Sequence, residues 1–142
     1  SSTTAGSISQ WDYMNAKFPA ETGKKLVEEA KKNAPYWYGD FYPLMPSNAS
    51  PDQFSAYQLH RPDMDAGLVL AFRRQECDLV GIIVSLKGIN PEMNYIVEFV
   101  DESLMPKERK MTGRELISGV ELRPGEKHSS LVVWYRADSS GR

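Results

Sequence analysis

The sequence predicts an all-β domain: an antiparallel Greek-key β-sandwich of about seven or eight short strands, preceded by one α-helix. Apolar residues recur at helical spacing over residues 21–34, whereas from residue 54 onward they alternate with polar residues. Short clusters of Gly, Pro, Asn and Asp separate the alternating segments and indicate turns. The gaps between these segments are too short for the crossover helices of a parallel sheet, so the strands should pair antiparallel.

The helix is predicted from the pattern of residues 21–34. Leu26, Val27 and Ala30 form a short apolar stripe, and lysines and glutamates occupy the other positions. Pro35 should end the helix, because the residue before a proline is disfavoured in the α conformation. A helix of this length is marginal by itself in water, so its apolar stripe should pack on a partner surface.

Each predicted strand is a short alternating or apolar segment bounded by a turn signal. Ile82, Val84 and Leu86 are expected to point inward from the third strand. Residues 113–119, which begin and end with glycine, are expected to form a helical turn or a bend. The predicted strands are residues 54–61, 68–74, 80–87, 94–101, 110–112, 119–122 and 130–136.

An aromatic segment joins the helix to the first predicted strand. Five of the nine residues from 36 to 44 are aromatic. Large rings of this kind fill interfaces and also stack on sugars. Trp37 and Tyr38 could therefore form a sugar platform, but we favour a wedge between two packed surfaces. The candidates for such an interdomain contact are Tyr36, Trp37, Tyr38, Asp40, Phe41 and Tyr42.

The chain is thus expected to have four parts. They are residues 1–35, a tail and helix; residues 36–46, the aromatic junction; residues 47–138, the β-sandwich; and residues 139–142, a disordered tail.

The composition argues against several classes of partner. The net charge is −2, from 17 basic and 19 acidic residues, which predicts neither nucleic-acid nor membrane-surface binding. The sequence shows no targeting or transmembrane pattern, and it leaves the compartment open. Cys77 is the single cysteine, so it has no intrachain disulfide partner. His60 and His128 are far apart in sequence and are expected on strand surfaces, so no metal site and no cofactor are predicted.

Charged residues are also given structural rather than catalytic roles. Asp63 and Asp65 occupy a predicted turn, where a carboxylate usually shapes the turn itself. Arg73 and Arg74 end a predicted buried strand and point to opposite faces, so they cannot act as one clamp. One of them is expected to turn inward and pair with an acid such as Asp40 or Glu98, and we favour a partly buried ion pair or backbone hydrogen bonds over ligand binding. No catalytic residue is predicted within this chain.

Several segments, taken in order, resemble one known family. The run Tyr38-Gly39-Asp40-Phe41-Tyr42-Pro43-Leu44 is similar to a Tyr-Gly-Asp-Tyr-Tyr-Pro-Leu stretch of melibiase-like alpha-galactosidases, in glycoside hydrolase family thirty-six. In that family the stretch leads from the last helix of the catalytic barrel into a C-terminal β-sandwich. The matching segments are residues 36–44, 57–62, 67–74, 86–91 with Tyr95, and 112–119.

The resemblance implies a non-catalytic accessory domain whose helix is the last helix of a barrel that lies upstream. The two catalytic aspartates of the family lie on barrel strands, so none can be assigned to this chain. The domain is expected to pack on that barrel and to support contacts between subunits. Two alternatives remain open: an independent carbohydrate-binding module, and an immunoglobulin-like interaction domain.

Overall fold

The computed structural model describes residues 14–17, 19–46 and 50–141. The chain forms two compact units, residues 1–38 and residues 39–142. Most of the predicted N-terminal tail lies outside the described residues, as do residues 47–49 of the predicted sandwich. The division between the units falls inside the segment predicted as a single aromatic junction.

The first unit contains the predicted helix, α1 (Ala20–Asn33), followed by a 3-10 turn (Ala34–Tyr38). Pro35 therefore ends the α-helix as predicted, but the chain continues in a tighter coil. Ala34 keeps helical dihedral angles, and its N–H donates to the carbonyl of Ala30. No described helix has the length and apolarity needed to cross a membrane.

The second unit is a sandwich-like arrangement of two antiparallel sheets, which confirms the predicted all-β fold. A six-stranded sheet has the order β1-β2-β3-β8-β5-β6, and β4 pairs with β7 in a two-stranded sheet. The strand β8 returns to lie beside β5, which is the Greek-key relationship. The strands are β1 (Asp40–Pro43), β2 (Phe54–Arg61), β3 (Ala66–Arg73), β4 (Ile82–Val84), β5 (Asn94–Val100), β6 (Lys107–Thr112), β7 (Val120–Leu122) and β8 (Ser130–Ala137).

The structure adds one strand and shortens another. β1 lies within the aromatic junction and pairs with β2, with Asp40 opposite His60 and Pro43 opposite Tyr57. Its pattern has no clear alternation, so only the partner strand reveals it. β4 is limited to three residues, and Leu86 instead donates its N–H to the carbonyl of Leu116. Ile82, Val84 and Leu86 are buried, as predicted.

The segment between β6 and β7 is a helix, α2 (Gly113–Ser118), which decides between the two predicted forms. Thr112 and Glu115 form a capping box: each side chain accepts from the other's backbone N–H, at 3.2 and 2.7 Å. A Cβ atom on Gly113 would lie 1.9 Å from the carbonyl oxygen of Asn90, so only glycine fits at the start of α2.

The core lies between the two sheets. Tyr95 and Tyr135 are its largest fully buried side chains, and their rings pack edge to face with centroids 6.2 Å apart. Other members are Val69, Ala71, Val84, Val97, Leu116, Val120, Leu122 and Val133.

The described part of the C-terminal segment, Ser139–Gly141, is a 3-10 turn, and the disordered tail over residues 139–142 stays a prediction. Asp138 organises this turn because its carboxylate accepts from the backbone N–H of Ser140 at 3.1 Å. The same carboxylate pairs with Lys110 at 2.9 Å, which ties the turn to β6.

Candidate functional site

The six predicted contact residues are divided between the two units. Tyr36, Trp37 and Tyr38 lie in the 3-10 turn of the first unit. Asp40, Phe41 and Tyr42 lie on β1 of the second unit. Tyr38 and Phe41 are the most exposed of the aromatic members, at 86% and 60%. The predicted contact function is not decided by this placement and remains a proposal.

Phe41 begins a row of three aromatic rings that crosses β1, β2 and β3. Its ring centroid lies 5.5 Å from that of Tyr57, which lies 6.2 Å from that of Phe72. The rings are tilted by 37° and 33° rather than coplanar. Tyr57 alternates with the core residues Phe54 and Ala56, so the row lies on the face of the sheet that points away from the core.

This second face of the six-stranded sheet is apolar well beyond the aromatic row. We call it the outer face. Its β3 and β8 positions alternate with core residues on the same strands. The apolar members on these two strands are Leu68, Leu70, Phe72, Val132 and Trp134. An antiparallel sheet with one face in water would show polar residues here, so the sheet is patterned for burial on both faces.

Arg73 and Arg74 bind main-chain carbonyl groups. The Arg73 guanidinium donates to the carbonyls of Cys77 at 3.2 Å and Gly125 at 2.9 Å. Arg74 donates to the carbonyl of Ser50 at 3.1 Å. The two side chains hold loops together at the end of β3, and their donors are not arranged to bind one ligand.

A buried polar cluster lies on the core side of β2, where the sequence had predicted a surface. Gln58 donates to the Tyr135 hydroxyl at 2.6 Å and to the Lys87 carbonyl at 2.8 Å, and it accepts from the Lys87 N–H at 2.8 Å. His60 Nδ1 lies 2.9 Å from the same hydroxyl. The prediction of a surface histidine is therefore wrong for His60, which is 2% exposed. Its inward direction follows from the register with β1 and β3.

Two glycines leave the space that these side chains occupy. A Cβ atom on Gly67 would lie 2.1 Å from the hydroxyl oxygen of Tyr135. A Cβ atom on Gly88 would lie 2.6 Å from Cδ2 of His60, and Gly88 also has a φ of +70°. Both glycines lie in segments that resemble the family. Their presence there was the signal in the sequence from which the cluster could have been predicted.

The titration behaviour of this region follows from its burial. Burial lowers the pKa of His60, and the negative charges of Asp65 and Asp40 oppose that shift. Burial, and then the hydrogen bond to Asp65, raises the pKa of Tyr95 to about 12. The Tyr95 hydroxyl donates to Asp65 at 2.7 Å and accepts from the Asn90 N–H at 3.1 Å. These groups brace turns and have no open face for a substrate.

The remaining candidate groups shape turns or lie apart. Asp63 accepts two hydrogen bonds from Arg61, at 2.8 and 2.7 Å, and Arg61 holds its pKa below the usual value. His128 lies in an exposed turn with a φ of 66°, not on the predicted strand. In the described ranges, no three His, Cys, Asp or Glu side chains are grouped in a way that could hold a metal ion.

No protein-family model and no curated protein matches this sequence. Solved structures, by contrast, share its fold. The crystal structure of the alpha-galactosidase from Lactobacillus brevis matches 89% of this chain with a TM-score of 0.66 and 14% sequence identity. A variant of the family-thirty-six alpha-galactosidase AgaA from Geobacillus stearothermophilus, in complex with raffinose, matches 87% with a TM-score of 0.63 and 20% identity.

These matches occupy a small part of each enzyme. The chain spans 18% of the Lactobacillus structure and 16% of the Geobacillus structure. Nearly the whole chain therefore has the fold of one segment of a much larger glycoside hydrolase.

Proposed function

We propose that this chain is the non-catalytic C-terminal accessory domain of an alpha-galactosidase-like glycoside hydrolase and packs on that enzyme's catalytic barrel. One observation carries the proposal: 87–89% of the chain adopts the fold of a segment that makes up 16–18% of such enzymes. The resemblance to alpha-galactosidases also implies that the domain supports contacts between subunits of the parent enzyme, and this contact is part of the proposal.

The geometry of the motif residues supports an architectural role. Gln58, Gly67, Gly88, Tyr95 and Gly113 all belong to segments that resemble the family. Each is used for a buried hydrogen bond or for a close approach that a side chain would block. Motifs that maintain a fold fit an accessory domain better than an active site, whose polar groups would face a cleft.

The part of the outer face that we assign to the barrel is its exposed edge at β1, where Phe41 is 60% exposed. The central residues Leu68, Leu70 and Trp134 are already buried within this chain, at 6% exposure or less, and offer no surface to a partner. Burial of an exposed aromatic ring stabilises an association by roughly 25 cal/mol per Å² of apolar surface before ordering costs are subtracted.

The proposal is tested with the complete reading frame that encodes this chain. We expect an upstream (β/α) barrel with two aspartates on barrel strands, and hydrolysis of an aryl α-galactoside by the full protein. The 142-residue chain alone should show no hydrolysis. Hydrolysis by this chain, or a reading frame without an upstream barrel, would overturn the proposal.

A carbohydrate-binding module is the second candidate, and the aromatic row of Phe41, Tyr57 and Phe72 is the observation in its favour. The two functions compete for the same face of the sheet. Calorimetric titration with galactosides and with glucan and mannan oligosaccharides separates them. Binding that is lost in Phe41→Ala would favour the module, whereas no heat with any glycan would exclude it.

A further inference from the structure

A pocket of about 190 Å³ opens in the sandwich beside the edge strand β6, apart from the outer face. It arises because the six-stranded sheet is much wider than the two-stranded sheet. Lys107, Arg109 and Met111 alternate along β6 and line the pocket together with Phe99 of the neighbouring strand. If the second sheet were wider, its apolar side chains would fill the space that the pocket occupies.

The charges in the pocket do not balance. Lys107 lies 3.8 Å from Asp101, and Arg123 lies 2.7 Å from Glu121. Arg109 is the remaining cation, and within the described residues no carboxylate pairs with it. Its guanidinium carbon lies 5.7 Å above the ring centroid of Phe99, so the ring attracts the cation beside the pocket without using its N–H donors in a hydrogen bond.

Inward-pointing charges on an edge strand also discourage pairing with other chains. That role needs only charge and does not require a concave surface. Here the free guanidinium lies in a pocket with the apolar side chains of Met111 and Leu131 and the carboxylates of Asp101 and Glu121. The combination of a cation, acceptors and apolar walls is typical of a small-molecule site.

We infer that this pocket binds a small hydroxylated organic anion with one carboxylate or phosphate group. The anionic group takes the planar N–H fork of Arg109, which matches an oxyanion in two-point geometry. Hydroxyl groups donate to the carboxylates of Asp101 and Glu121, and the carbon skeleton lies against Met111 and Leu131. The volume limits the ligand to about the size of one small sugar derivative.

The test is a titration of the whole chain, followed by NMR and by calorimetry. The probes are glucuronate and glucose 6-phosphate, with glucose, acetate and inorganic phosphate as controls for the neutral skeleton and the bare anions. The variant Arg109→Met removes the fork and keeps apolar bulk. Arg114→Met is the matched control, because Arg114 lies on α2 and forms one exposed ion pair with Glu92 at 2.6 Å.

We expect glucuronate or glucose 6-phosphate to shift the Arg109 Nε–H and Phe99 ring signals at millimolar concentration, and the better probe identifies the anionic group. Affinity should fall about tenfold or more in Arg109→Met and stay unchanged in Arg114→Met. The inference is overturned if neither sugar anion binds, if the shifts map elsewhere, or if both variants lose equally. It is also overturned if acetate or inorganic phosphate binds as tightly as the sugar anions. If Arg109→Met does not fold, the inference is still tested by which NMR signals of the unaltered chain shift when the sugar anions are added.

Discussion

The hydroxyl of Tyr135 and the side-chain amide of Gln58 meet at 2.6 Å in the core, although they lie 77 positions apart in sequence. The same hydroxyl lies within hydrogen-bond distance of His60 Nδ1, 2.9 Å away, and the tautomer of His60 determines which of the two groups donates. The single hydroxyl thus links two polar side chains of β2 to the central strand β8.

Removal of that hydroxyl should destabilise the sandwich. Tyr135→Phe leaves His60 without its partner and Gln58 with one donor unused, so we expect a loss of about 1–3 kcal/mol in the free energy of unfolding. Urea denaturation measures the change. Tyr38→Phe is the matched control, since Tyr38 is exposed, and should change stability by less than about 0.5 kcal/mol. Equal stability of the two variants would contradict the proposed importance of the cluster.

The two glycines beside the cluster should not tolerate a methyl group. Gly67→Ala places Cβ 2.1 Å from the Tyr135 hydroxyl oxygen and 2.6 Å from the Leu59 carbonyl oxygen, so strands must separate. We expect a loss of about 3 kcal/mol or more, or no folded protein. Gly125→Ala is the control because no atom lies within 4 Å of its added Cβ. Thermal unfolding of both variants gives the comparison, and similar midpoints would show that the close approach is not restrictive.

Stability should fall with acidification before any carboxylate titrates. Burial lowers the pKa of His60 in the folded state, whereas the unfolded chain keeps the usual value of about 6.5. Below that pH the unfolded state binds the proton first, so stability decreases by up to about 1.4 kcal/mol per pH unit until the folded pKa is reached.

Urea denaturation between pH 7.5 and 5 tests this window. Asp63, Asp78 and Asp101 have lowered pKa values, so their contributions are lost only as the pH falls below about 4. His128→Asn should retain the acid-induced loss, since His128 lies in an exposed turn whose positive φ asparagine tolerates. A flat profile from pH 7.5 to 5 would mean that His60 titrates as it does in water.

The capping box should stabilise α2 measurably. Thr112→Ala removes the acceptor for the Glu115 N–H and the hydroxyl that donates to Glu115 at 2.8 Å. We expect a loss of about 1 kcal/mol. Ser118→Ala is the control, because Ser118 is exposed at the C-terminal end of α2. It should change stability by less than about 0.5 kcal/mol. A neutral Thr112→Ala would show that Leu116 packing alone holds the helix.

The order of the elements could be predicted from the sequence because it depends on local patterns. The helix before Pro35 and the strand with inward Ile82 and Val84 follow from spacing and turn residues alone. The fold similarity to alpha-galactosidases agrees with the ordered series of motifs in the sequence. The burial and the contacts of individual side chains in the site could be predicted less well.

Tertiary structure decided which polar residues lie inside. Gln58 and His60 have the pattern of a solvated strand face, and only the register of β2 with β3, together with Tyr135 on β8, places them in the core. The pocket at Arg109 likewise depends on how far one sheet extends past the other. Local chemistry determines that a segment becomes a strand, whereas pairing between distant segments determines which of its faces is buried.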